Sequence, residues 1–150
     1  MFEKILVALD GSNQSLEALK MGAMIADQNK SKLTILSAVE PLPPIATPVN
    51  PTAPPKYITS YTEDQRESYK DIHEKQIDKF SDMYSKLSIE SKIIEGRAFE
   101  VIIDESKRTD LIVMGHQGQG NVLDWMLGSV AKKVLDRSKK PVLIAKKETE

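Results

Sequence analysis

The sequence predicts a doubly wound α/β fold, a parallel sheet covered by helices on both faces. Five short apolar runs, Ile5–Leu9, Leu33–Val39, Ile89–Ile94, Leu111–Met114 and Val142–Ala145, alternate with segments of helical character. Two of them, Ile5–Leu9 and Leu111–Met114, are apolar without interruption, as strands buried on both faces are. Each of these two runs directly into a turn-forming segment, Asp10-Gly11-Ser12 and Gly115-His116-Gln117-Gly118. Ligands of doubly wound sheets bind in that position, beyond the carboxyl ends of the strands.

Taken in order, the first run leads through Ser12, placed to cap a helix, to Leu16, Leu19, Ala23 and Ala26 at helical spacing. After the second run, seven of the eight prolines crowd between Pro41 and Pro55. No helix or strand survives that density, so residues 41–56 are expected to form a stiff connecting loop of polyproline character. Because it leaves the ligand end of the second strand, it is also expected to cover part of a bound ligand. From about Tyr61 to Leu87 a polar segment carries Tyr69, Ile72, Phe80, Met83 and Leu87, the stripe of a long amphipathic helix with His73 on its polar side. The third run interleaves polar residues and is expected at an edge, leaving the first and fourth central. Segments 98–107 and 129–138 supply the remaining helices. The terminal run Val142–Ala145 is an apolar edge, which aggregates unless paired; pairing with a second copy about a two-fold axis gives a homodimer.

With 150 residues, a formal net charge of -1 and 40% hydrophobic residues, the chain suits one globular domain spanning 1–150. The absence of cysteine removes disulfides, thiolate metal sites and cysteine nucleophiles. The opening segment holds too short an apolar run for a signal peptide or membrane span, so a cytoplasmic protein with no membrane contact is expected. The basic residues Lys132, Lys133, Arg137, Lys139 and Lys140 read as a solvated helix end rather than a nucleic-acid surface.

Four of the seven glycines fall between 115 and 128, and Gly128-Ser129 opens a helical pattern through Val130, Ala131, Val134 and Leu135. Backbone N–H groups of Gly118, Ser129 and Val130, with the Ser129 hydroxyl, are therefore candidates to cradle phosphate at a helix N-terminus. The loop carries no lysine, unlike a P-loop. Asp10-Gly11-Ser12 offers a single glycine where a dinucleotide fingerprint needs three. Asp10 either caps the first helix or accepts from a ribose hydroxyl and reaches a magnesium ion on the phosphates. Val39 is either an ordinary buried strand residue or one whose backbone reads a base edge. His116 and His73 are the two histidines, too few for a metal cluster or a triad, and His116 reads as a loop residue beside phosphate. Trp125, with Val122, Leu123, Met126 and Leu127, is expected to pack the loop down or meet a partner subunit.

These residues together resemble the single-domain universal stress proteins. The likeness rests on Lys4-Ile5-Leu6-Val7-Ala8-Leu9-Asp10-Gly11-Ser12, on Asp110-Leu111-Ile112-Val113-Met114-Gly115, on the G-x2-G-x9-G-S spacing of Gly115, Gly118, Gly128 and Ser129, and on Pro141-Val142-Leu143-Ile144. The chain departs from the family in Gly115-His116-Gln117-Gly118, where Gly-Ser-His-Gly or Gly-Ser-Arg-Gly is common, and at Ala8, where proline often stands. Both departures leave the backbone donors in place.

The resemblance implies a Rossmann-like sheet of order 3-2-1-4-5, a homodimer through Val142–Ala145, and binding of ATP, AMP or another adenine nucleotide with Mg2+. It places Asp10 near ribose and metal, Val39 near adenine, and Gly115, Gly118, Gly128, Ser129 and Val130 around the phosphates. The full expected contact set adds Ala8, Leu9, Met114 and His116, with Asp10 as the metal ligand and no catalytic residue. The function expected is that of an ATP-binding stress-response protein whose nucleotide acts as a conformational ligand for a downstream partner. The rival readings are a slow ATPase or nucleotidyl transferase, and a nucleotide-free dimeric scaffold.

Overall fold

In the computed structural model, which describes residues 1–42, 56–117 and 126–146, five strands form one parallel sheet. They are β1 (Lys4–Ala8), β2 (Lys32–Val39), β3 (Ser88–Glu95), β4 (Leu111–Gly115) and β5 (Val142–Ala145), in the spatial order β3-β2-β1-β4-β5. This is the order expected, with β1 central and β3 and β5 at the edges. Val7 stands opposite Ile35 of β2 on one side and Val113 of β4 on the other.

Alternation of side chains sends successive residues of β1 to opposite faces. Ile5, Val7 and Leu9 pack with Leu19 and Ala23 of α1 (Asn13–Asn29) and Phe80 of α2 (Lys56–Met83). Leu6 turns the other way, into a cluster with Ile102 of α3 (Ala98–Ser106) and Val134 of α4 (Ser129–Arg137). A strand buried on both faces needs no polar alternation, which is why β1 and β4 read as unbroken apolar runs. Each fully buried aliphatic side chain here contributes roughly 1.5–3 kcal/mol.

Ser12 caps α1 as expected, its hydroxyl accepting from the Ser15 N–H at 3.2 Å. Two features of α2 differ from the sequence pattern. Met83 is 55% exposed because the helix ends there, and Leu87 packs half-buried against the core from the turn before β3. His73, expected on the polar side, is 1% exposed: it faces the sheet between two serines. A histidine among polar neighbours in sequence carries no mark of which face it takes until the strand serines opposite are known.

At the β3 edge, half-buried strand residues are accompanied by ion pairs, Lys32 to Glu90 at 2.8 Å and Lys92 to Glu105 at 2.7 Å. Charges on an edge discourage pairing with other chains. The basic residues of α4 serve packing: Lys133 Nζ lies 4.9 Å and the Arg137 guanidinium 5.7 Å from the Phe99 ring centroid, joining α4 to α3. Most of the Pro-rich loop, Gly118, and Trp125 with Val122 and Leu123 lie outside the described residues. Leu127 packs against the α3–α4 side of the core, whereas Met126 is exposed.

Candidate functional site

The chain winds from β1 outward through β2 to β3, then returns to the other flank of β1 for β4 and β5, so a crevice opens where the two directions part. Asp10 leaves the end of β1 at this point. Its Oδ1 accepts from the Ser12 N–H at 2.9 Å, and its own N–H donates to Ser15 Oγ at 3.3 Å. Gly11 between them has φ 84°, a left-handed conformation that glycine adopts without strain. The carboxylate is thus held by the turn that starts α1.

Across the crevice, Gly115 ends β4 against α1. A Cβ there would lie 2.9 Å from the Gln14 carbonyl carbon and 3.0 Å from its oxygen, a space only hydrogen fits. That close approach lets Gln14 clasp the glycine segment: its Oε1 accepts from the Gln117 N–H at 2.6 Å. Gln117 in turn donates from Nε2 to the Met126 carbonyl at 2.8 Å, and the Gly128 N–H donates to the His116 carbonyl, also at 2.8 Å. The two described ends of the glycine-rich segment are therefore tied to each other and to α1.

Gly128 is extended, with φ -61° and ψ 153°, and caps α4 without a side-chain hydrogen bond. The first helical bond runs from the Lys132 N–H to the Gly128 carbonyl at 2.9 Å, so the N–H groups of Ser129, Val130 and Ala131 have no partner within the helix. All three residues line a cavity of about 450 Å³. Such a helix start offers several donors and positive potential to an anion.

The rest of the wall comes from each side of the crevice. Ala8, Leu9 and Asp10 come from the end of β1 and the residues after it, Leu36, Ala38 and Glu40 from the second half of β2 and the residue after it, and Met114, Gly115 and Gln117 from the end of β4 and the turn beyond. Ala98 and Ile102 of α3 close one end, and Tyr61, Gln65 and Tyr69 of α2 stand over the other. The charged residues of the described wall are Asp10 and Glu40, and Glu40 Oε1 accepts from the Ala98 N–H at 3.0 Å. Burial, with the negative charges of Asp10 and Glu40 adding to it, raises the Tyr69 hydroxyl above its usual pKa, so it stays protonated and able to donate.

Of the residues expected at a ligand, Ala8, Leu9, Asp10, Met114, Gly115, Gly128, Ser129 and Val130 meet in this one wall. Val39 does not: its side chain is fully buried, its carbonyl accepts from the Gly96 N–H at 3.0 Å, and Ala38 and Glu40 on either side of it form the wall instead. Alternation along β2 explains this, since neighbours in a strand face opposite ways. His116 is buried, its N–H donating to the Ala145 carbonyl at 2.9 Å. Sequence reasoning missed Gln14 and Gln117, whose roles depend on a tertiary contact. It also missed Gln65 as a wall residue, although the spacing of Tyr61, Gln65 and Tyr69 already put them on one helix face.

A parallel five-stranded sheet, covered on both faces and holding a cleft with a helix start at its switch point, defines a Rossmann-like α/β domain. The model of the universal stress protein family matches residues 1–146, and the chain belongs to that family. It is 28% identical over 150 residues to the universal stress protein YxiE of Bacillus subtilis, covering 97% of this chain and 100% of that one. The universal stress protein UspA from Lactobacillus plantarum superposes with a TM-score of 0.83 at 22% identity, over 95% of this chain and 96% of the other. The same fold is found in a universal stress protein solved in complex with cAMP, with a TM-score of 0.60 at 24% identity over 96% of this chain and 97% of that one. Among the described residues no helix is long and apolar enough to cross a membrane.

Proposed function

We propose that the cleft binds ATP or a related adenine nucleotide with Mg2+, and that the bound nucleotide acts as a conformational ligand in a stress response. The observation that carries this reading is the start of α4, where three residues whose N–H groups lack helical partners line a cavity of about 450 Å³, a size usual for small-ligand sites. The cAMP complex and the dAMP complex of the Archaeoglobus fulgidus universal stress protein support an adenine nucleotide as the ligand class. The phosphates belong at Ser129 and Val130, and the ribose near Asp10.

The residues present suit magnesium in one way. Among the described residues no group of three or more acidic or histidine side chains could hold a metal alone. Mg2+ commonly takes one or two carboxylates and completes its shell with phosphate oxygens and water, and Asp10 supplies the carboxylate. When bound, the ion neutralises phosphate charge, a task no lysine or arginine of the described wall performs. An Asp10→Ala variant is expected to bind ATP roughly tenfold more weakly in magnesium and to lose most of the difference between magnesium and EDTA, about 1.4 kcal/mol. Equilibrium dialysis giving the same affinity for both proteins would contradict that role.

Nucleotide at about 100 times its dissociation constant stabilises the folded state by roughly 2.7 kcal/mol, enough to order segments around the cleft. The reading also includes a homodimer through β5. The Ile112 N–H donates to the Pro141 carbonyl at 3.0 Å and the His116 N–H to the Ala145 carbonyl at 2.9 Å, so odd-numbered residues face β4. Val142 and Ile144 therefore turn their backbone groups outward, along the sheet edge. An Ile144→Pro variant keeps the β4 ladder but removes an outward donor, and it is expected to run as a monomer by light scattering where the parent runs as a dimer. Equal masses for the two proteins would count against pairing at β5.

A further inference from the structure

Gln65 lies in the middle of the α2 face that overlooks the cavity, between Tyr61 one turn before it and Tyr69 one turn after. Its Nε2 donates to the Tyr61 hydroxyl at 3.0 Å. Its Oε1 is buried and has no hydrogen-bond partner among the described residues. Buried carbonyl oxygens in native proteins nearly always find a donor, so an orphan acceptor in the wall of a ligand cavity marks a place where the ligand supplies one.

Two acceptors at the β2 end each already have one donor within the protein. The Val39 carbonyl accepts from the Gly96 N–H, and Glu40 Oε1 accepts from the Ala98 N–H, both at 3.0 Å. We infer that Gln65 Oε1 accepts a hydrogen bond from the exocyclic amino group of the nucleotide base and makes this cleft select 6-amino over 6-oxo purines. The inference rests on the adenine-nucleotide reading of the same cavity and goes beyond it by naming the residue that reads the base. The chemistry is that of carboxamide pairing with adenine, in which the amide oxygen meets the 6-amino group. With inosine the partner is a carbonyl, which leaves two acceptors facing each other, and a site built to bond an NH rejects the analogue that lacks it.

The test compares ATP and ITP by isothermal titration calorimetry, with folding of each variant checked by circular dichroism and thermal melting. Wild type is expected to bind ATP at least tenfold more tightly than ITP. In Gln65→Met the ratio is expected to fall toward one through loss of ATP affinity. Gln65→Glu, which keeps an acceptor at the same place, is expected to retain the preference for ATP. An unchanged ratio in Gln65→Met, or an equal loss for both nucleotides, overturns the inference while leaving nucleotide binding intact. Wild type binding ATP and ITP alike does the same. Wild type binding neither would sink the adenine-nucleotide reading, and this inference with it.

Discussion

Replacing Gly115 with alanine is expected to cost about 1–3 kcal/mol of stability and to weaken nucleotide binding at the same time. The added Cβ would stand 2.9 Å from the Gln14 carbonyl carbon, and what it meets is helix backbone, which cannot swing aside as a side-chain tip could. Either α1 shifts outward or the end of β4 does. Both movements pull Gln14 from the Gln117 N–H it accepts at 2.6 Å, and with it the tie to Met126 and the start of α4. Urea unfolding reads the first effect and calorimetry with ATP the second. A variant that is less stable but binds ATP as wild type does would mean the clasp holds the fold and not the cradle. A variant unchanged in both would mean the close packing is not maintained in solution.

Acid is expected to destabilise the protein before its carboxylates titrate. His73 Nε2 lies 2.7 Å from Ser37 Oγ, and Nδ1 lies 2.6 Å from Ser91 Oγ. The Ser37 hydroxyl donates to the Leu9 carbonyl at 2.5 Å. With that proton committed, Nε2–H must donate to Ser37, and in the neutral ring Nδ1 then accepts from Ser91. Burial lowers the His73 pKa from 6.5 to about 4 in the folded state. The unfolded chain therefore takes up the proton first, so the contribution of His73 is complete above pH 6.5 and is lost as pH falls from there to about 4.

The full loss is about 3 kcal/mol, a large share of the stability of a domain this size. Glu90 and Asp104, held below the usual carboxylate range by hydrogen bonds from Lys32 and Lys107, lose their smaller contributions at lower pH. Urea unfolding of wild type at a series of pH values should show the decline beginning near neutrality. In a His73→Asn variant the stability should be lower at neutral pH but nearly flat over the same window. A wild-type curve flat down to the carboxylate range would contradict the buried neutral imidazole.

The parts of the molecule legible in the sequence share a physical cause: each is written in a local pattern. Ile5 to Leu9 and Leu111 to Met114 show burial on both faces because a central parallel strand needs apolar residues at every position. Ser12 is an N-cap because its hydroxyl serves an N–H three residues on. The convergence of Asp10 with Gly115, Gly128 and Ser129 in one wall follows once β1 and β4 are neighbours, since both segments begin where those strands end. What depends on residues far apart in sequence was not legible. The side of α2 that His73 takes is settled by Ser37 and Ser91, on two different strands. Gln14 is an unremarkable polar residue of a first helical turn until Gln117, 103 residues away, is brought within reach. That Ala38 and Glu40 rather than the Val39 side chain line the cavity, and that α2 supplies further wall residues, depends on how β2 and α2 sit in the folded chain.

The N-terminus of α4 is the anchor for phosphate, and a single substitution isolates it. Ser129 is the first helical residue, a position where proline is well tolerated, and Gly128 already has the extended conformation that a residue before proline prefers. Ser129→Pro therefore removes one N–H and the hydroxyl from the cleft while leaving the helix in place. Calorimetric titration with ATP and magnesium is expected to give clear binding to wild type and an affinity at least tenfold lower in Ser129→Pro, with melting temperatures of the two apo proteins within a few degrees. Equal affinities, or no binding to wild type at millimolar nucleotide, would contradict a phosphate site at the start of this helix.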